Sequence, residues 1–156
     1  MTLRNLFWWA AFFVVGICVQ QQAPGVDVLV VGLLIALQEQ RVVQAVLTVL
    51  VLICIQEGVG SLDFGSSVLW YLLVIGLFFT GRWLFETENW LFVLLLSVCL
   101  GAVHGGLFLL MARLQYVPVE MSMLLDECIL QALLVAVVWK CSMWLRRWLV
   151  PHEDRS

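Results

Sequence analysis

The sequence predicts an all-α, polytopic integral membrane protein of about six transmembrane helices, N-in and C-in. Three observations predict it. The 156 residues are 63% hydrophobic and 12% charged, against about 45–50% apolar and about 25% charged in ordinary soluble domains. The apolar residues gather into six stretches separated by compact polar turns. The Lys and Arg residues fall almost entirely on one side of the alternating loops, as cytoplasmic loops require. One transmembrane domain over residues 1–150, followed by a short polar tail at 151–156, is the expected organisation.

The first stretch, Asn5 to Gln20, follows Arg4 in the charged-then-apolar order of a signal peptide. No A-x-A-like cleavage site follows it, and Cys18 is preceded by Ile17 where a lipoprotein signal has a small residue. It is expected to be a retained first helix. The second, Asp27 to Leu37, is short of the roughly 20 residues that cross about 30 Å of hydrocarbon. The alternatives are a tilted or incomplete crossing, helped by local thinning, and a re-entrant pair made with the third stretch.

The third stretch, Arg41 to Gln56, leaves the second through the polar turn "QEQR" and ends in "QEGVGSLDFGSS". There Glu57 is expected to cap the helix, with Ser66 or Ser67 capping the fourth, Ser67 to Phe85. Read by residue type alone, this passage is a surface turn. After "ETEN", the fifth helix (Trp90 to Ala112) carries Ser97, Gly101 and Gly105 at i, i+4 and i+8, a smooth stripe that lets backbones approach. Ala132 and Ala136 make a shorter stripe in the sixth, Val119 to Leu145, which follows Pro118.

Ionisable groups at membrane depth are costly. His104 lies well inside the fifth helix. It is read as an interhelical hydrogen-bonding group, with a proton relay as the sharper alternative. Asp126 and Glu127 are expected near the surface at the start of the sixth helix, and Lys140 is expected to snorkel. With six crossings and a cytoplasmic N-terminus, Arg4, Arg41, Arg82, Lys140, Arg146, Arg147 and Arg155 lie inside, leaving Arg113 outside. Trp8, Trp9, Trp83, Trp90, Trp144 and Trp148 then form an inner aromatic belt, with Trp70, Tyr71 and Tyr116 near the outer ends. Single cysteines introduced into a Cys-free background test this topology. Positions Asp63 and Gln115 should react with an impermeant thiol label from outside, and Gln40 and Glu88 should not; outside labelling of Gln40 would overturn six crossings.

Chemistry is sparse. The five cysteines stand singly, without CxxC spacing, so neither a metal site nor a disulfide framework is expected. No nucleophile elbow, HExxH or phosphate-cradling loop occurs, and the carboxylates are too dispersed for an acid/base pair. No basic or aromatic-basic patch points to nucleic acid. The expectation is a non-enzymatic protein without cofactor, in contact with the lipid bilayer.

The passage "DVLVVGLLIALQEQRVVQAVLTVLVLICIQEGVGSLDFGSSVLWYLLVIGLFFTGRW" resembles the rod-shape-determining MreD family. The likeness lies in the early hairpin with its short polar turn, and in the next helix ending in an acidic residue and a Gly/Ser passage. Glu57, Gly60, Ser61 and Gly65 fill the family's acidic, Gly/Ser and Gly places. Glu57 stands where aspartate is usual, the arginine or proline near the second helix is absent, and beyond Trp90 only the hydrophobic pattern and "WLRRW" continue the match. The resemblance implies a non-enzymatic scaffold in the bacterial inner membrane, part of the cell-elongation machinery that builds peptidoglycan. It implies binding to an MreC-like bitopic partner and the cell-wall synthesis complex, with no small-molecule substrate. Glu57 and Asp63 would then anchor an outward cup whose contacts include Gly60, Ser61 and Gly65. The alternative is the substrate-binding subunit of an energy-coupling-factor vitamin transporter, also six-helical, although the AxxxA docking pattern is missing from the first helix.

Overall fold

A computed structural model describes residues 3–23, 25–59, 65–86 and 89–149, with 57–59 in backbone only. These form α1 (Leu3–Gln22), α2 (Val30–Gln38), α3 (Val42–Val59), α4 (Ser66–Leu84), α5 (Trp90–Leu114) and α6 (Met121–Leu149), with no strand among the described residues. The protein is an all-α, multi-pass membrane protein. Helices α1, α4, α5 and α6 are each long and apolar enough to cross a bilayer. Their outward faces are rows of exposed Leu, Val, Ile and Phe, while Asp27, Gln44, Thr48, Ser97, Gln131 and Arg146 are buried. Lipid replaces water as the surrounding solvent, so these polar groups turn inward; Gln44 Nε2 and Arg146 Nη1 are buried without a hydrogen-bond partner among the described residues.

The short second stretch becomes the centre of the bundle. Helix α2 has only nine residues, a rise of about 13 Å at 1.5 Å per residue. Val30 to Ala36 are all buried, as befits a helix apolar on every side, and α2 packs against α3, α4 and α6. Gly32 brings α1 close: a Cβ there would lie 2.7 Å from the Phe12 ring. Before α2 the chain is non-helical from Val26 to Val28 yet fully buried. The helix starts tightly, with i→i+3 bonds from Val31 N–H to Val28 O (3.2 Å) and from Gly32 N–H to Leu29 O (3.0 Å).

Non-helical and helical parts together carry the segment through the bundle. Asp27 pairs with Gln131 and Glu39 with Arg146. Those two α6 positions are about 22 Å apart along the helix axis. The second stretch is therefore a broken crossing, and the re-entrant alternative fails because Glu39 reaches the end of the bundle where α1 begins and α6 finishes. Arg146 also binds Asn5 there, so the two terminal helices start and stop at one end, as expected. Gln40, at φ 57°, makes the sharp turn into α3.

The small-residue stripe is a contact within the fold. Ser97, Gly101 and Gly105 are all buried, and the two glycines lie against α6 in the most extensive helix pair of the structure. A Cβ on Gly101 would lie 2.6 Å from the Cys128 carbonyl oxygen and 3.2 Å from Ala132 Cβ, and one on Gly105 would run into Cys128 Sγ. Gly101→Leu is expected to cost about 1–3 kcal/mol of stability through overpacking, read as a lowered unfolding midpoint in detergent. Val103, two residues on, is not the silent face its rotation predicts, because it is partly buried against the core. Gly106, with nothing within 4 Å of a built Cβ, is the proper control, and Gly106→Leu should leave the midpoint unchanged.

Several helix ends differ from expectation. Neither Ser66 nor Ser67 caps α4. Its N-cap is Gly65, at φ 104° in the left-handed region that glycine alone adopts readily, without a side-chain cap bond. Helix α3 continues to Val59, past Glu57. It is Asn89 that caps a helix, accepting from Leu91 N–H at 3.0 Å. Helix α6 runs beyond Leu145 to Leu149 and begins at Met121, so Asp126 (exposed) and Glu127 (half-buried) sit in its second turn. Lys140 lies with its ammonium 5.4 Å from the centre of the Trp90 ring.

Candidate functional site

Polar side chains converge at both ends of the broken second crossing. At one end Asp27 is only 4% exposed. Its Oδ1 accepts from Val30 N–H at 3.3 Å, an N-cap type of bond that satisfies a first-turn donor of α2. Its Oδ2 accepts from Trp70 Nε1–H at 2.8 Å and from the Tyr71 hydroxyl at 3.1 Å. All three donors are uncharged. Trp70 and Tyr71 are adjacent on α4, one turn in from its start, and both are buried.

Gln131 of α6 holds the backbone at the same point. Its Oε1 accepts from Asp27 N–H at 2.8 Å, and its Nε2–H donates to Asp27 O at 3.1 Å. The amide thus replaces the neighbouring strand or helical turn that this non-helical residue lacks. Unpaired backbone groups at this depth would each cost several kcal/mol, which explains a fully buried glutamine in the middle of an apolar helix. His104 of α5 stands edge-on to Trp70, with ring centres 4.8 Å apart and planes at 70°. Glu127 lies against Gly25, where any Cβ would meet its carboxyl group. Beside this centre, Gln20 Nε2–H donates to Gln56 Oε1 at 3.2 Å, tying α1 to α3.

At the other end Arg146, 3% exposed, makes a two-pronged pair with Glu39. Nε–H donates to Oε1, and Nη2–H donates to Oε2 at 2.8 Å and to Asn5 Oδ1 at 2.9 Å. The guanidinium carbon lies 4.5 Å from the Trp8 ring centre and 5.5 Å from that of Trp9, within cation–π range. Trp139 Nε1–H donates to Gln38 Oε1 at 3.0 Å one layer deeper. Trp8, Trp9, Trp70 and Tyr71 are therefore buried partners of charged groups, not members of interfacial belts. Arg146 is likewise not a simple inner-surface charge.

The residues singled out from the sequence separate into three groups. Gly101 and Gly105 are brought together with α6, and Ser97 is buried one turn before them. His104 and Glu127 border the Asp27 centre, while Asp126 points away from it, exposed. Gly60, Ser61, Asp63 and the Glu57 side chain lie outside the described residues; Gly65 is at the start of α4. Asp27, Gln131, Arg146, Glu39 and Asn5 were not foreseen as a site. A signal existed for Gln131, the one amide between Glu127 and Lys140 in an otherwise apolar run. As for chemistry, no group of three or more potential metal-ligating side chains occurs among the described residues.

No family model, curated protein or solved structure matches this chain.

Proposed function

We propose that this protein is a non-enzymatic scaffold subunit of the bacterial cell-elongation machinery, binding an MreC-like bitopic partner in the inner membrane. One observation carries the reading beyond the sequence resemblance: at both ends of the second crossing the buried Asp27, Gln131 and Arg146 bond to the chain itself. Asp27 receives three donors from its own fold, Gln131 is fully engaged with backbone, and Arg146 clamps Glu39 and Asn5. A bundle built this way offers its partners outer helix faces and loops, with no bond chemistry required. In this reading the Glu57 to Gly65 passage forms part of the partner surface.

The transporter alternative draws on the non-helical backbone at Val26 to Val28, since carriers bind substrates at interrupted helices. Here that backbone is covered by protein, which favours the scaffold. Co-purification from native membranes separates the two readings. Recovery of a bitopic partner with wall-synthesis enzymes is the expected result; recovery of an ATPase module would replace the scaffold by the transporter subunit. In a depletion strain, Glu57→Ala should complement poorly while inserting normally, and Glu57→Asp should complement well. Equal complementation by Glu57→Ala and wild type would return this passage to a plain surface turn.

A further inference from the structure

Three buried hydrogen-bond donors stand without an acceptor among the described residues at one place in the fold, the seam where the start of α1 meets the end of α6. They are Asn5 Nδ2, Trp9 Nε1 and Arg146 Nη1, on residues that are 1%, 5% and 3% exposed. The bonds already described hold them together. Arg146 Nη2–H donates to Asn5 Oδ1, which places the Nδ2 of the same amide beside the guanidinium. Trp9 follows Asn5 by one turn on the same face of α1, and its ring centre lies 5.5 Å from the guanidinium carbon. We propose that these three donors hold a small monovalent anion, of the size of chloride, between α1 and α6.

The chemistry selects an anion over a water molecule. A buried donor left unpaired is costly, and native interiors supply a partner for nearly all of them. A water accepting from these donors has two O–H groups of its own to place, and the acceptors nearby are taken or turned away. Asn5 Oδ1 already receives Nη2–H, and Glu39 occupies the Nε/Nη2 edge of the planar guanidinium, with Nη1 on the far side. An anion accepts from all three donors and has nothing to donate. Charge agrees with this occupant: Glu39 pairs with both Arg146 and Arg41, so two cations share one carboxylate and a single negative charge completes the group. Asn5 is in the first turn of α1, at the end of the bundle, so an ion from the water reaches the seam without crossing the hydrocarbon. Once bound, it adds to the Asn5 bond in pinning α1 to α6.

The test is the unfolding midpoint of the full chain in neutral detergent, with sodium chloride exchanged for sodium gluconate at constant total salt. The gluconate ion is far larger than chloride. The wild-type midpoint should rise with chloride and saturate, and bromide should act as chloride does. Trp9→Phe keeps an aromatic ring and deletes one donor, so half-saturation should need about tenfold more chloride. Asn5→Asp puts a carboxylate oxygen in place of Nδ2 and supplies the negative charge from the protein itself, so its midpoint should stay high in gluconate and ignore chloride. A wild-type midpoint that is the same in chloride and gluconate would overturn the proposal and assign the donors to a neutral acceptor. A wild-type chloride response in Asn5→Asp, or an unshifted half-saturation in Trp9→Phe, would overturn it too, by reducing the effect to a general action of salt. Should either variant fail to fold, chloride NMR on wild type decides. Saturable broadening of the chloride resonance by the protein, reversed by bromide, is expected, and its absence refutes the site.

Discussion

Asp27→Ala is expected to destabilise the protein by on the order of 4 kcal/mol. The substitution strands Val30 N–H, Trp70 Nε1–H and the Tyr71 hydroxyl in a buried site, and each unsatisfied donor costs about 1–3 kcal/mol. Titration into denaturing detergent, followed by circular dichroism, measures the loss. Asp27→Asn should fall between wild type and Asp27→Ala, because one carbonyl oxygen can still accept. The telling variant is Asp27→Ala combined with Trp70→Phe and Tyr71→Phe. Removing the donors together with their acceptor should restore part of the loss, so the triple variant should be more stable than Asp27→Ala alone. A triple variant that simply adds further destabilisation would mean that these bonds do not form.

Arg146→Leu should be nearly as damaging, at about 3 kcal/mol, because among the described residues it leaves Glu39 with only the more distant Arg41 and removes the buried member of a largely buried pair. Arg146→Lys should recover little. A lysine cannot reproduce the fork that reaches both Glu39 oxygens and Asn5 at once, nor stack its charge across Trp8 and Trp9 as a plane. Arg146→Met with Glu39→Met should be far more stable than either single change, since a buried ion pair replaced by apolar groups of similar volume is often neutral. The same detergent unfolding assay reads all of these variants. If the double variant is no better than the singles, Glu39 and Arg146 are not partners.

The fold class and the position of most helices were legible in the sequence because lipid imposes one simple rule: apolar runs of sufficient length, broken by polar turns. The Ser97, Gly101 and Gly105 stripe was legible for the same reason, since close helix approach needs small residues at a fixed period. The polar interior followed no such local rule. Asp27 marked only the start of a short apolar run, and a helix beginning there hid the buried non-helical stretch around it. Trp70 and Tyr71 look the same in sequence whether they face headgroups or donate to a buried carboxylate. Their partner is 43 and 44 residues away, while Gln131 meets Asp27 across 104 and Arg146 meets Asn5 across 141. Pairings at such separations are set by how helices stack, and no spacing records them. Counting Arg146 as a surface charge put it at the end of the bundle where α1 begins, as Asn5 confirms, but in the wrong environment.

The central claim is that the interior is closed, with the interrupted second crossing held by side chains and not opened for a solute. Amide hydrogen exchange at Val26 to Leu29, in the purified full chain, tests this most directly. The account predicts that Asp27 N–H, bonded to Gln131, exchanges as slowly as the core amides of α5, and that Gln131→Leu accelerates it strongly. Exchange of the wild-type Asp27 amide at the rate of an exposed loop, unchanged by Gln131→Leu, would contradict the account and give this protein a water-filled path at its centre.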